Sequence, residues 1–117
     1  MDTQTAVLLK IYIGESDRHH GKPLYKYILE YLRENDIAGA TVFRGLSGYG
    51  KTSVIHTSSI VRLSTDLPIL IEVVDSREKI DSIRDELLEI MDEGLITEEK
   101  INVIFYQGNK AKLMTEN

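Results

Sequence analysis

Eight consecutive residues, Gly45-Leu46-Ser47-Gly48-Tyr49-Gly50-Lys51-Thr52, satisfy the phosphate-binding pattern G-x-x-x-x-G-K-[ST] letter for letter. In that pattern the N–H groups of a glycine-rich turn and the N-terminus of a following helix converge on phosphate oxygens, and the lysine adds a point charge. The chemistry needs a strand before the pattern and a helix after it. Ala40-Thr41-Val42-Phe43-Arg44 reads as the strand. The segment from Ser53 to Thr65 does not read as the helix. Nearly all of it is β-branched or carries a short hydroxyl, so it loses rotamer freedom in a helix or competes for the backbone hydrogen bonds. A second acid to hold Mg²⁺ is also wanting, because Asp75, at the end of the apolar run Pro68 to Asp75, reads as a helix cap. Gly48-Tyr49-Gly50-Lys51 is therefore read as a turn opening a long polar loop over residues 47–66, and not as the catalytic loop of a nucleotide hydrolase.

Two other constellations are weaker. His19, His20 and His56, with Glu15 and Asp17, suggest a metal site, but adjacent histidines on a loop are poorly placed to share one ion and no H-x-H or H-x₃-H spacing occurs. They read as solvated loop residues, with His20 and His56 retained as candidates to meet an anionic ligand. Serine, histidine and aspartate are present without a nucleophile-elbow pattern. No catalytic residue and no metal ligand is assigned, and the chain is read as a non-enzyme.

A length of 117 residues accommodates one domain with a modest core. We assign residues 1–107 to it and 108–117 to a polar, flexible tail. The net charge of −5 argues against charge-driven binding to nucleic acid or anionic membranes. No cysteine is present, which removes disulfides and thiolate chemistry and fits a cytoplasmic location. No basic start followed by an apolar stretch marks a secretory signal, and no apolar run approaches the roughly 20 residues of a membrane span.

The elements that must position the turn follow from periodicity. Val7, Leu9, Ile11 and Ile13 alternate with Leu8, Lys10 and Tyr12 as in a half-buried strand over 7–13. Pro23 suits a first helical turn, and Leu24, Ile28, Tyr31 and Leu32 make a helical stripe closed by Asn35-Asp36. A second strand is predicted over about 40–46 and a third over 68–74. Asp75 and Glu78 fit a capping box for a helix with Ile80, Ile83, Leu87, Ile90 and Met91 on one face, stopped by Gly94. A fourth strand is predicted over 101–106. The order β-α-β-β-α-β is the ferredoxin-like arrangement of the α+β class, with two helices on one face of a four-stranded antiparallel sheet. Its open face, where Leu8, Tyr12, Val42 or their neighbours are expected, calls for cover, and self-association supplies it economically.

Several segments carry a family likeness: Lys10 to Glu15, Gly21 to Tyr25, Gly39 to Gly45, Gly48 to Gly50, His56-Thr57, Asp66 to Pro68 and Ile71 to Asp75. Over about residues 7–106 the chain resembles the PII-type signalling proteins, most closely a PII-like group known only as a domain of unknown function. The resemblance implies a homotrimer that binds an adenine nucleotide or related effector in clefts between subunits and contacts a target protein through the loop 47–66. It implies that Gly48, Tyr49 and Gly50 line the cleft, that Thr41 lies near the base and that Lys51 faces phosphate. The other half of such a cleft is a glycine-rich loop ending in lysine, matched here by Gly94 and Lys100, with Thr97 and Glu99 in place of inner glycines. Acidic residues there repel phosphate, which favours AMP or ADP over ATP. The alternatives are a structural or ligand-binding trimer without nucleotide preference, or a P-loop-like hydrolase.

Overall fold

The alternation at Val7, Leu9, Ile11 and Ile13 becomes the buried face of the central strand. The computed structural model describes residues 4–49, 56–57 and 66–107. The chain runs through β1 (Gln4–Gly14), the short β2 (Arg18–His19) and β3 (Lys22–Pro23), α1 (Leu24–Glu34), β4 (Ala40–Arg44), the short β5 (Ser47–Gly48) and β6 (His56–Thr57), β7 (Pro68–Asp75), α2 (Arg77–Ile90) and β8 (Leu95–Val103). The long strands form one antiparallel sheet in the order β4-β7-β1-β8, the ferredoxin-like topology expected. The two-residue strands pair only with each other, β2 with β3 and β5 with β6.

The odd-numbered residues of β1 and β7 meet the helices. Val7, Leu9, Ile11 and Ile13 pack with Ile69, Ile71 and Val73 against Leu24, Ile28 and Leu32 of α1 and Ile80, Ile83, Leu87 and Ile90 of α2. Ile11 lies opposite Ile71 and both are wholly buried. The two helices are also tied directly, since the Tyr31 hydroxyl donates to the Ile83 carbonyl at 3.3 Å, and burial pushes that phenol's pKa above its ordinary value. Tyr25, Tyr27 and Tyr31 border the core.

Each helix is closed by local chemistry. α1 begins after Pro23 and ends at Glu34, with Asn35 as its C-cap, whose side-chain amide donates to the Tyr31 carbonyl at 2.8 Å. The cap of α2 differs from the expectation. Ser76, not Asp75, is the N-cap: its Oγ accepts from the Lys79 N–H at 3.2 Å. Asp75 is occupied elsewhere, accepting from Ser76 N–H at 2.7 Å and from Ala38 N–H at 2.8 Å, so it ties the α1–β4 connection to the end of β7. Replacing Ser76 with alanine is expected to cost about 1 kcal/mol, read as a lowered urea midpoint with an unchanged slope.

Three further expectations are corrected. The second strand ends at Arg44, and Val42, opposite Ile71, faces the helices; its neighbours Thr41 and Phe43 face the open side. Gly94 does not stop α2, which ends at Ile90 with Met91 as an extended C-cap. Gly94 instead makes the turn into β8, at φ +131° and so close to β1 that a Cβ would stand 2.7 Å from the Tyr12 carbonyl oxygen. The stretch from Leu95 to Lys100, read as a loop, is strand, and the strand ends at Val103. Its polar run Thr97-Glu98-Glu99-Lys100 hides the alternation because β8 is an edge strand, where charged side chains are tolerated. Glu98, on the helix side, is held by Arg77 and Arg84 of α2 at 2.7 and 2.8 Å.

Candidate functional site

At one end of the sheet β1 and β4 finish and β7 begins, and short contacts knit the three together. The Gly45 N–H donates to the Pro68 carbonyl at 2.7 Å, and the Glu15 N–H donates to the Leu67 carbonyl at 2.8 Å. Asp66 Oδ1 accepts from the Ser16 N–H at 3.1 Å, and Asp17 Oδ2 accepts from the Gly14 N–H at 2.9 Å. The Asp17 carbonyl then receives the Leu24 N–H that opens α1. Arg44 closes the assembly, its Nε and Nη2 reaching Glu15 Oε1 at 3.2 and 3.0 Å. Both arms of the segment between β4 and β7 are thus fastened to the end of β1. Glu15, Arg44 and Asp66 fall in segments that carry the family likeness, but no catalytic or binding motif assigns them a role. The legible hint was Asp17 three residues beyond Gly14, a spacing at which an aspartate side chain can bond back to the local backbone.

The glycines of the pattern have a packing reason. A Cβ at Gly45 would stand 3.2 Å, and one at Gly48 3.0 Å, from Cγ of Pro68. The proline ring therefore crowds both positions, and a larger residue at either would have to push it aside, independently of any phosphate. Beyond Gly48 the chain has reversed direction by His56, since β6 pairs antiparallel with β5 and Gly48 lies opposite His56. Of the residues after the pattern, where a nucleotide hydrolase needs a helix, the described pair His56–Thr57 is strand. Tyr49, next to Gly48, is largely exposed. Gly50 and Lys51 lie outside the described residues, as do most of the loop 47–66 and the tail 108–117.

The remaining candidates are dispersed. Thr41 is exposed on the open face of β4, opposite Glu72. His20 and Gly21 form the two-residue turn between β2 and β3, at φ 51° and 77°, the left-handed pair a type I′ hairpin requires. The neighbouring His19 packs edge-on against Tyr27 of α1 at 4.4 Å between ring centroids and against His20 at 4.2 Å. That hairpin is further anchored by Lys22, whose ammonium meets Glu30 at 2.8 Å; the hydrogen bond to that carboxylate raises the lysine's pKa. Among the described residues no group of His, Asp and Glu could hold a metal ion.

Lys100 sits on β8 opposite Val7, on the helix side of the sheet. β8 and β4 are opposite edges, three strand spacings or about 14 Å apart. Thr41, Gly48 and Tyr49 therefore share one margin of the subunit and Lys100 lies on the other. A shallow cavity of about 150 Å³ between α2 and β8, lined mainly by Ile80, Leu87, Leu88 and Ile96 with Arg84 and Glu98 at its side, is too small for a nucleotide.

Comparison with known proteins gives a consistent picture. The sequence profile of DUF190, described as Uncharacterized ACR, matches residues 6–103. A UPF0166 protein of Aquifex aeolicus (strain VF5) is 42% identical over 98 residues, covering 84% of this chain and 92% of that protein. A UPF0166 protein of Methanocaldococcus jannaschii is 42% identical over 92 residues, 78% of this chain and 84% of its own length. Among solved structures, CPII from Thiomonas intermedia K12, a nitrogen regulatory PII-like protein bound to ADP, AMP and bicarbonate, superposes with a TM-score of 0.65 at 14% identity, covering 88% of this chain and 99% of that one. A putative PII-like signaling protein from Thermus thermophilus also gives a TM-score of 0.65, at 19% identity over 89% of this chain and 94% of that one. At such identities the structural matches establish a PII-like fold. Among the described residues no helix is long and apolar enough to cross a membrane.

Proposed function

The chain belongs to the DUF190 family, and on that premise we propose that it is a PII-like signalling protein that senses an adenine nucleotide without hydrolysing it. The proposed assembly is a cytoplasmic homotrimer. The ligand, AMP or ADP, occupies a cleft between subunits, and the loop 47–66 carries the response to a target protein. The observation that carries the reading is the division of the candidate residues between margins. Thr41, Gly48 and Tyr49 lie toward the β4 edge and Lys100 on the β8 edge, so a ligand touching both must bridge two copies. Gly50, Lys51 and His56 extend the first half of that cleft; His20, held on the α1 hairpin, is its least supported member. The ADP and AMP bound to CPII support the ligand class on a shared fold. The Glu98 charge, already neutralised by Arg77 and Arg84, leaves Glu99 as the acid that disfavours a third phosphate. Switching then requires that the nucleotide bind one loop arrangement better than another.

Calorimetric titration with AMP, ADP, ATP and a cyclic dinucleotide tests this. Binding of AMP or ADP is expected, weakened about tenfold or more in Lys51→Ala, which corresponds to about 1.4 kcal/mol. Flat traces with every nucleotide would overturn the ligand assignment, and phosphate release from ATP that vanishes in Lys51→Ala would overturn the non-enzymatic reading.

A further inference from the structure

The open face of the sheet has an order that the strand register makes explicit. Directly opposed residues share a face in an antiparallel sheet, so the register resolves this side into transverse rows. One row is apolar across all four strands: Phe43, Leu70, Tyr12 and Leu95. Phe43, Tyr12 and Leu95 are 47%, 38% and 56% exposed, a large apolar surface for a chain of this size. The next row is polar: Thr41, Glu72, Lys10 and Thr97. Beyond it the two inner strands are again apolar, with Val74 opposite Leu8, and Glu99 stands at the β8 edge. One cation and one anion thus stand on the inner strands, between apolar pairs. Among the described residues neither the Lys10 nor the Glu72 side chain makes a hydrogen bond or an ion pair.

The geometry points to Lys10 and Glu72 as the specificity-determining pair of a self-association surface, with Lys10 of one copy engaging Glu72 of the next. The occupant is a second copy of this chain because the surface is complementary to itself. It offers both signs of charge in one row, and apolar side chains to either side that need cover. A wholly apolar partner would cover this pair, directly opposed within one copy, without offering either charge a further polar partner, which is disfavoured. A second copy in register supplies each charge with its opposite, while a copy slipped by one row sets charge against Leu70 and Tyr12 or against Leu8 and Val74. The pair acts as buried polar residues act in coiled coils, fixing register and partner more than adding affinity. This inference rests on the self-association proposed above and is independent of the nucleotide.

The test uses the full-length chain and its Lys10→Glu and Glu72→Lys variants, singly and mixed, in light scattering and native mass spectrometry. Circular dichroism, with Lys10→Gln and Glu72→Gln as milder variants, separates loss of assembly from loss of fold. Each reversal makes the row carry one sign, so the concentration needed for assembly is expected to rise at least about tenfold. Mixing the two restores opposite charges across copies, and mixed assemblies are expected to outnumber pure ones. Single reversals that assemble like the parent chain would overturn the pair while leaving self-association intact. Disruption rescued in the double variant but not by mixing would overturn it in favour of pairing within one copy. A parent chain monomeric at all concentrations would overturn both readings.

Discussion

With Leu70 replaced by aspartate, the chain is expected to elute and scatter as a monomer at concentrations where the assembly proposed for the parent forms. Leu70 lies between Tyr12 and Phe43 in the apolar row of the open face, one residue pair away from the Lys10–Glu72 row. A carboxylate there has no cation directly opposite it and must leave water whenever the face is covered. Burying an unpaired charge costs several kcal/mol even after relaxation. Each 1.4 kcal/mol is a factor of ten in the association constant, so about 4 kcal/mol moves assembly about a thousandfold. The fold itself is expected to survive, because Leu70 is outside the buried cluster formed by Ile69, Ile71 and Val73 with the helices. A monomer with native circular dichroism and no measurable AMP binding would show that the cleft requires the covered face. An undiminished oligomer would remove the open sheet as the interface.

Gly94→Val is expected to destabilise the subunit by about 3 kcal/mol or more. At φ +131° the backbone is in a region that is costly for any residue with a Cβ, by about 1–3 kcal/mol. The added carbon would also meet the Tyr12 carbonyl oxygen and Met91 Cε, each at 2.7 Å. Met91 is the flexible end of a side chain and can move. The carbonyl belongs to β1, the central strand paired on both sides, and cannot. For a domain of this size a loss of 3 kcal/mol lowers Tm by about 12 °C or more. Gly39→Ala is the control: nothing lies within 4 Å of its Cβ, so its stability should stay within about 0.5 kcal/mol of the parent. Equal effects at both glycines would refute the close-approach explanation for Gly94.

Much of the candidate site was hard to read for a physical reason. A glycine-rich turn looks the same whether it cradles phosphate or accommodates a proline ring from a residue about twenty positions away. Gly45 and Gly48 face Pro68, a contact that exists only once β4 and β7 pair. Likewise nothing local marks Arg44 and Glu15 as partners; they become a pair because β1 and β4, on either side of β7, finish at the same end of the sheet. Lys100 was recognisable as a basic residue after Gly94 but not as part of a strand. The charges of an edge strand erase the period-two signal that made β1 obvious.

The two amphipathic helices, the central strands and the β-α-β-β-α-β order were all readable from the chain before any contact was known. They follow from the period of apolar residues, and a period is a local property of a chain that must bury one face. Folding had to settle which edge each candidate residue occupies, that Val42 looks inward while Phe43 looks outward, and that Lys10 stands opposite Glu72. These depend on strand order and register, set by pairings between residues up to about a hundred positions apart, and a one-residue change in register would turn every one of those side chains to the other face.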